Sequence, residues 1–134
     1  MANRKRKSDC PIYFGLEIFG DKWTLLVVRD LMFKDKHYFG EFLGMEEKIA
    51  TNILANRLAL LEESGIVTKT VDLKHKSKQV YKLSPKGIDL LPTLIEIIMW
   101  SAKYDKQTAA GKEFIREAKK DREGLIARIT SGLK

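Results

Sequence analysis

Residues 49–67, IATNILANRLALLEESGIV, constrain the fold more than any other part of the sequence. Leu54, Leu58 and Leu61 follow the i, i+4, i+7 spacing of a core-facing helical stripe. On a 3.6-residue wheel Asn52, Ala55, Asn56, Ala59 and Glu63 take the opposite side, and the N-terminal half of that side is short amides and methyls. Carboxylates begin only at Glu62. Such a face suits the DNA major groove, because Asn pairs bidentately with adenine N6 and N7 and Ala leaves room for a thymine methyl. Gly65 is the expected C-cap. Taken alone, the stretch fits an ordinary surface helix better than a base-reading one, so its neighbours decide.

Upstream, Asp21 is the expected N-cap of a helix from Lys22 to about Phe33, whose Trp23, Leu26, Val27 and Leu31 cover most of the circumference. That is a central core helix. After Lys34 to Tyr38, Phe39, Phe42 and Leu43 mark a short helix, and Gly44 to Lys48 turns the chain into the stretch described first. Two helices joined by a tight turn, the second with an amide-rich outer face, form a helix-turn-helix. After Gly65 the period changes to 2: Val67, Lys69, Val71 and Leu73 alternate imperfectly with Thr68, Thr70 and Asp72. Val80, Tyr81 and Leu83 follow the polar turn Lys74-His75-Lys76-Ser77-Lys78 as a second strand. A Lys-rich turn by itself is usually only solvated. Directly after a recognition helix, this hairpin is a wing whose cationic tip meets phosphates or the minor groove.

At the N-terminus, Asn3 to Lys7 is a short cationic arm, and Cys10-Pro11 opens a first helix with Ile12, Leu16 and Phe19 on its apolar side, ended by Gly20. Ser84-Pro85 opens another helix to about Tyr104, carrying Ile88, Leu91, Leu94, Ile95, Ile98 and Met99 at helical spacing, with a kink or break expected at Pro92. Residues 90–100 are apolar on more sides than one small core covers, which predicts burial against a second subunit. The expected contact is a homodimer through the Cys10–Phe19 and Ser84–Tyr104 helices. Residues 111–129, with Phe114, Ile115, Ala118, Leu125, Ile126 and Ile129, read as one further amphipathic helix weakened at Gly124.

A chain of 134 residues supports one core with appendages, divided here as a basic arm at 1–9, a DNA-binding and dimerisation domain at 10–104 and a helical extension at 105–134. Lys plus Arg outnumber Asp plus Glu by 25 to 18, a net charge of +7 that favours a polyanionic partner. No apolar run approaches the roughly 18 residues of a membrane span, and no signal-peptide core follows the basic N-terminus, so no membrane partner and no export are expected. One cysteine fits a reducing compartment, and the chain reads as cytoplasmic. His37 and His75 lack metal-ligand spacing, and neither a glycine-rich phosphate loop nor a Ser, His and Asp set is present, so neither a cofactor nor catalysis is expected.

The ordered set of motifs from Cys10 to about Tyr104 resembles the HxlR-type winged-helix transcriptional regulators. The resemblance rests on Cys10-Pro11, Gly20-Asp21-Lys22-Trp23, Phe39 and Glu41, then Leu58, Leu61, Glu62 and Gly65. Tyr81, Leu83, Ser84, Gly87, Leu91-Pro92 and Trp100 complete it. It implies a mostly α fold with a small β-hairpin, a winged helix-turn-helix with extra N- and C-terminal dimerisation helices. It also implies a homodimer on palindromic double-stranded DNA and, in several members, a sensor of electrophiles or oxidants through an N-terminal cysteine. Here that residue is Cys10, beside a helix N-terminus and a cationic arm that favour thiolate, with Asp9 opposing. The wing lacks the proline common at its tip and is richer in lysine, and residues 105–134 lie outside the resemblance. The expected DNA-contacting set is Asn52 and Asn56 on base edges, Thr51 and Arg57 at their flanks, and Lys74, His75, Lys76 and Lys78 on phosphates. The alternative is a winged helix used only for protein contacts.

Overall fold

The protein's structure, a computed structural model, describes residues 6–134, so Asn3, Arg4 and Lys5 of the expected cationic arm lie outside the described residues. Helix α1 (Pro11–Phe19) begins at its proline with Cys10 as N-cap in extended backbone, and none of its residues is buried. Its apolar side faces outward: Ile12, Phe14 and Leu16 are 71%, 48% and 55% exposed.

Helix α2 (Thr24–Phe33) starts two residues later than expected. Asp21 is still the cause. Its carboxylate accepts the N–H groups of Trp23 and Thr24 and the Thr24 hydroxyl, closing a turn before the helix proper. Burial disfavours the Asp21 anion, but those hydrogen bonds and the Arg57 charge outweigh it and hold its pKa below the ordinary value. Val27, Val28, Leu31 and Asp30 of α2 are buried at 0–2% exposure. Asp30 takes hydrogen bonds from Arg29 and Lys36, while Arg29 also makes a paired contact to Glu47, so the buried charge has its partners. The Arg29 hydrogen bonds pull the Glu47 carboxyl down to about 2.

Helix α3 (Phe39–Leu43) leads through a turn, in which Lys48 is left-handed at φ 61°, to helix α4 (Thr51–Glu63). Leu54, Leu58 and Leu61 of α4 are 0–2% exposed, as the stripe predicts. The helix ends in a Schellman motif: Ile66 N–H donates to the Leu61 carbonyl and Gly65 N–H to that of Glu62, with Gly65 at φ 76°, where an L side chain is strained.

Strands β1 (Val67–Val71) and β2 (Gln79–Leu83) pair antiparallel with Val67 opposite Leu83 and Val71 opposite Gln79. Tyr81 N–H donates to the His37 carbonyl, which fastens β2 to the segment before α3. The single helix expected from Ser84 to Tyr104 is two, α5 (Pro85–Ile88) and α6 (Leu91–Tyr104), with the break before Pro92. Pro92 has no N–H to donate to an upstream carbonyl, so it sits where none is needed, in the first turn of α6. Gly87 touches the Ile66 backbone so closely that a Cβ there would collide with the Ile66 carbonyl.

The single helix expected over 111–129 is also two, α7 (Lys112–Lys120) and α8 (Arg122–Leu133). Asp121 leaves helical geometry between them and accepts the Gly124 N–H, acting as N-cap of α8. Both helices share the main core: Ala118 and Leu125 are buried, Phe114 meets Phe33 edge-on at 6.3 Å, and Arg122 pairs with Glu96. The core thus runs from α2, α3 and α4 across α6 to α8, with Phe42, Leu54, Leu61, Leu91, Ile95 and Leu125 fully buried. No helix is long and apolar enough to cross a membrane among the described residues.

Candidate nucleic-acid interface

Burial of Leu54, Leu58 and Leu61 forces the remaining sides of α4 outward. Thr51, Asn52, Ala55 and Asn56 are exposed there, and no acidic residue lies in the first turn. Ala50 at the N-cap supplies no side-chain hydrogen bond, so the positive end of the helix carries no intramolecular side-chain cap. The face therefore offers amides, a hydroxyl, a methyl and helix-end N–H groups, without a carboxylate before Glu62.

Arg57 differs from its neighbours on the wheel. It is half-buried, its Nη1 lies 3.3 Å from Asp21 Oδ1, and its Nε is buried without a hydrogen-bond partner. Its guanidinium joins α4 to the start of α2.

The hairpin packs on α4 through β1, and Lys69 pairs with Glu62 across that contact. Lys74, His75, Lys76 and Lys78 are all exposed around its tip. Asp72, which the strand pattern places outward, is turned in at 8% exposure. Its carboxylate accepts the Tyr38 hydroxyl at 2.6 Å and the Lys74 N–H at 2.8 Å, and the Lys78 ammonium lies 5.4 Å from the centre of the Tyr38 ring. The Tyr38 hydroxyl above all, then the Lys74 backbone N–H, lower the Asp72 pKa, while the same bond to Asp72 raises that of Tyr38. Nothing local in the sequence signals this pairing, because its partners are 34 residues apart.

Cys10 is exposed at the N-terminus of α1, and its N–H donates to Ser8 Oγ at 3.0 Å. No group of His, Cys, Asp and Glu suited to a metal ion occurs among the described residues.

A helix-turn-helix with an outward second helix and a hairpin packed on it defines a winged-helix protein. The model of the HxlR-like helix-turn-helix family matches residues 18–109, and the chain belongs to that family of transcriptional regulators. It is 32% identical over 124 residues to the HTH-type transcriptional regulator YdeP of Bacillus subtilis, covering 84% of this chain and 96% of YdeP. The reduced form of the transcriptional regulator YodB from B. subtilis superposes with a TM-score of 0.61 at 28% identity, over 75% of this chain and 99% of YodB. The oxidized form of the redox regulator HypR does so with a TM-score of 0.61 at 29% identity, over 70% of this chain and 96% of HypR. The match to the family ends at residue 109, so α7 and α8 fall outside it.

Proposed function

We propose that the protein is a homodimeric regulator that binds a palindromic operator in double-stranded DNA, with one α4 in each half-site. The observation that carries this reading is the amide-bearing outer face of α4, free of carboxylates before Glu62, beside a hairpin tip with three lysines. In this reading Asn52 and Asn56 contact base edges, and Thr51 and the helix N-terminus contact phosphate. Lys74, His75, Lys76 and Lys78 hold the wing to the backbone, and Arg57 supports α4 through Asp21.

The dimer reading is supported by apolar surface that one chain leaves open. Besides the outward side of α1, Ile97, Trp100 and Tyr104 of α6 are 45%, 67% and 67% exposed. These side chains belong to the two helices expected to meet a second copy. Cys10 stands at the end of the first of them, and the relative HypR is a redox regulator, which supports Cys10 as the point where an oxidant or electrophile acts. One thiol per chain limits that chemistry to a Cys10–Cys10 link between subunits, a mixed disulfide, or alkylation.

The test is a binding selection from a random DNA library, followed by Asn56→Ala on the recovered site. A palindrome with half-sites a helical turn or a multiple of one apart is expected. Asn56→Ala should reduce preference for that site over random DNA by about 1–3 kcal/mol with the fold intact. Equal preference in variant and wild type would remove Asn56 from the reading surface.

A further inference from the structure

We infer that Tyr38 and Asp72 act as a strut that sets the position of the wing relative to α4. This role rests on the DNA-binding reading above. An isolated two-stranded hairpin is marginally stable in water, so the wing depends on what its base is fastened to. Here the ladder closes at Val71 opposite Gln79, and the Asp72 N–H extends it by donating to the Lys78 carbonyl. At that point the Asp72 side chain turns inward, although the residues before it from Thr68 to Val71 are exposed.

One carboxylate then serves two elements. Oδ2 accepts the hydroxyl of Tyr38, the N-cap residue of α3, at 2.6 Å, and Oδ1 accepts the Lys74 N–H at 2.8 Å. On the returning side, Lys78 stacks its ammonium over the same Tyr38 ring. Both ends of the lysine-bearing turn are thereby referred to one residue at the start of the helix-turn-helix. A negative charge at the base of a phosphate-facing hairpin opposes phosphate electrostatically, so what Asp72 contributes to binding is position. A wing held in place before DNA arrives avoids the ordering penalty that a loose one meets at each encounter.

The test is Tyr38→Phe, which removes one hydroxyl and keeps the ring under Lys78. In the DNA-free protein, amide exchange at Lys74 and Lys78 should accelerate by about tenfold while exchange in α4 is unchanged. Affinity for the operator should fall by about three- to tenfold, the scale of ordering one or two long side chains. The effect of Lys76→Ala should also shrink in the Tyr38→Phe background, a coupling that general loss of stability does not produce. Unchanged exchange, or affinity decreases for Tyr38→Phe and Lys76→Ala that simply add, would overturn the strut. If wild-type affinity falls steeply with salt but Tyr38→Phe binds normally, the strut alone is refuted. A wild type with no salt dependence refutes the DNA reading and the strut with it.

Discussion

Leu125→Ala tests whether the C-terminal helices are part of the fold or merely attached to it. Leu125 is fully buried in α8, beyond the family match, in a core that also contains Leu91 and Ile95 of α6. Truncation removes roughly three methylene equivalents at about 0.8 kcal/mol each, or about 2.4 kcal/mol of transfer free energy. The unfilled space adds to this, because a packed interior relaxes only partly, and the total should be about 3 kcal/mol. For a chain of this size each kcal/mol lowers the melting temperature by roughly 3–5 °C, so a fall of about 10–15 °C is expected. The assay is thermal unfolding followed at once by far-ultraviolet circular dichroism and by tryptophan fluorescence, since Trp23 packs against the core. Both signals should shift together. Gly132→Ala is the control, because a Cβ there meets nothing within 4 Å, and it should be neutral or slightly stabilising. A fluorescence transition that stays in place while a separate low-temperature phase develops in the dichroism would show that α7 and α8 unfold as a detached layer, and would refute a single shared core.

Replacing Lys76 and Lys78 together with alanine should weaken operator and random DNA by similar factors and flatten the salt slope by up to about one unit for each lysine–phosphate pair removed; an unchanged slope removes both from the phosphate contact. Trp100→Asp should give monomers that bind DNA poorly, read by light scattering at micromolar concentration. Trp100 is a cleaner probe than half-buried Ile98 because it is 67% exposed and outside the core, and a wild type already monomeric would end the dimer proposal. Diamide or a quinone should reduce operator binding by wild type and leave Cys10→Ser unaffected; equal responses in the two place the signal elsewhere.

What could be read from the residues was whatever local periodicity and caps control. The α4 stripe, the Gly65 cap and the turn from helix into a hairpin at Val67 are each written within a few consecutive residues, and each occurs in the structure where the sequence puts it, although the expected alternation does not, since Val71 and Leu73 are exposed. Where a polar side chain can satisfy the backbone in more than one way, the boundaries moved. Asp21 closes a turn ahead of α2 instead of starting the helix at Lys22, and Asp121 splits one amphipathic stretch into two helices. Contacts between distant residues were not legible. A wheel places Arg57 at the flank of the groove-facing side, but only tertiary structure brings Asp21 within reach of it. The strand alternation likewise gives Asp72 to solvent, and nothing local says that Tyr38 waits on the other side.

The mechanical consequence of the fold centres on α2. It packs against α1, α4, β2 and α6, so the helices of the proposed dimer contact reach the recognition helix through one largely buried element. Two ionic links tie it to the helix-turn-helix: Asp21, in the turn that leads into α2, to Arg57 of α4, and Arg29, in the middle of α2, to Glu47 in the turn before α4. A close-packed interior transmits a shift of α6, or of α1 where its half-buried Ile18 packs against the core, as a movement of whole elements and does not absorb it locally. In the proposed dimer, a group attached at Cys10 is therefore predicted to act on the separation of the two α4 helices and to leave the chemistry of their faces unchanged. Its effect on DNA should then depend on half-site spacing and not on base sequence. By linkage, operator DNA must shift a reversible mixed disulfide at Cys10 by the same factor as that disulfide shifts operator affinity.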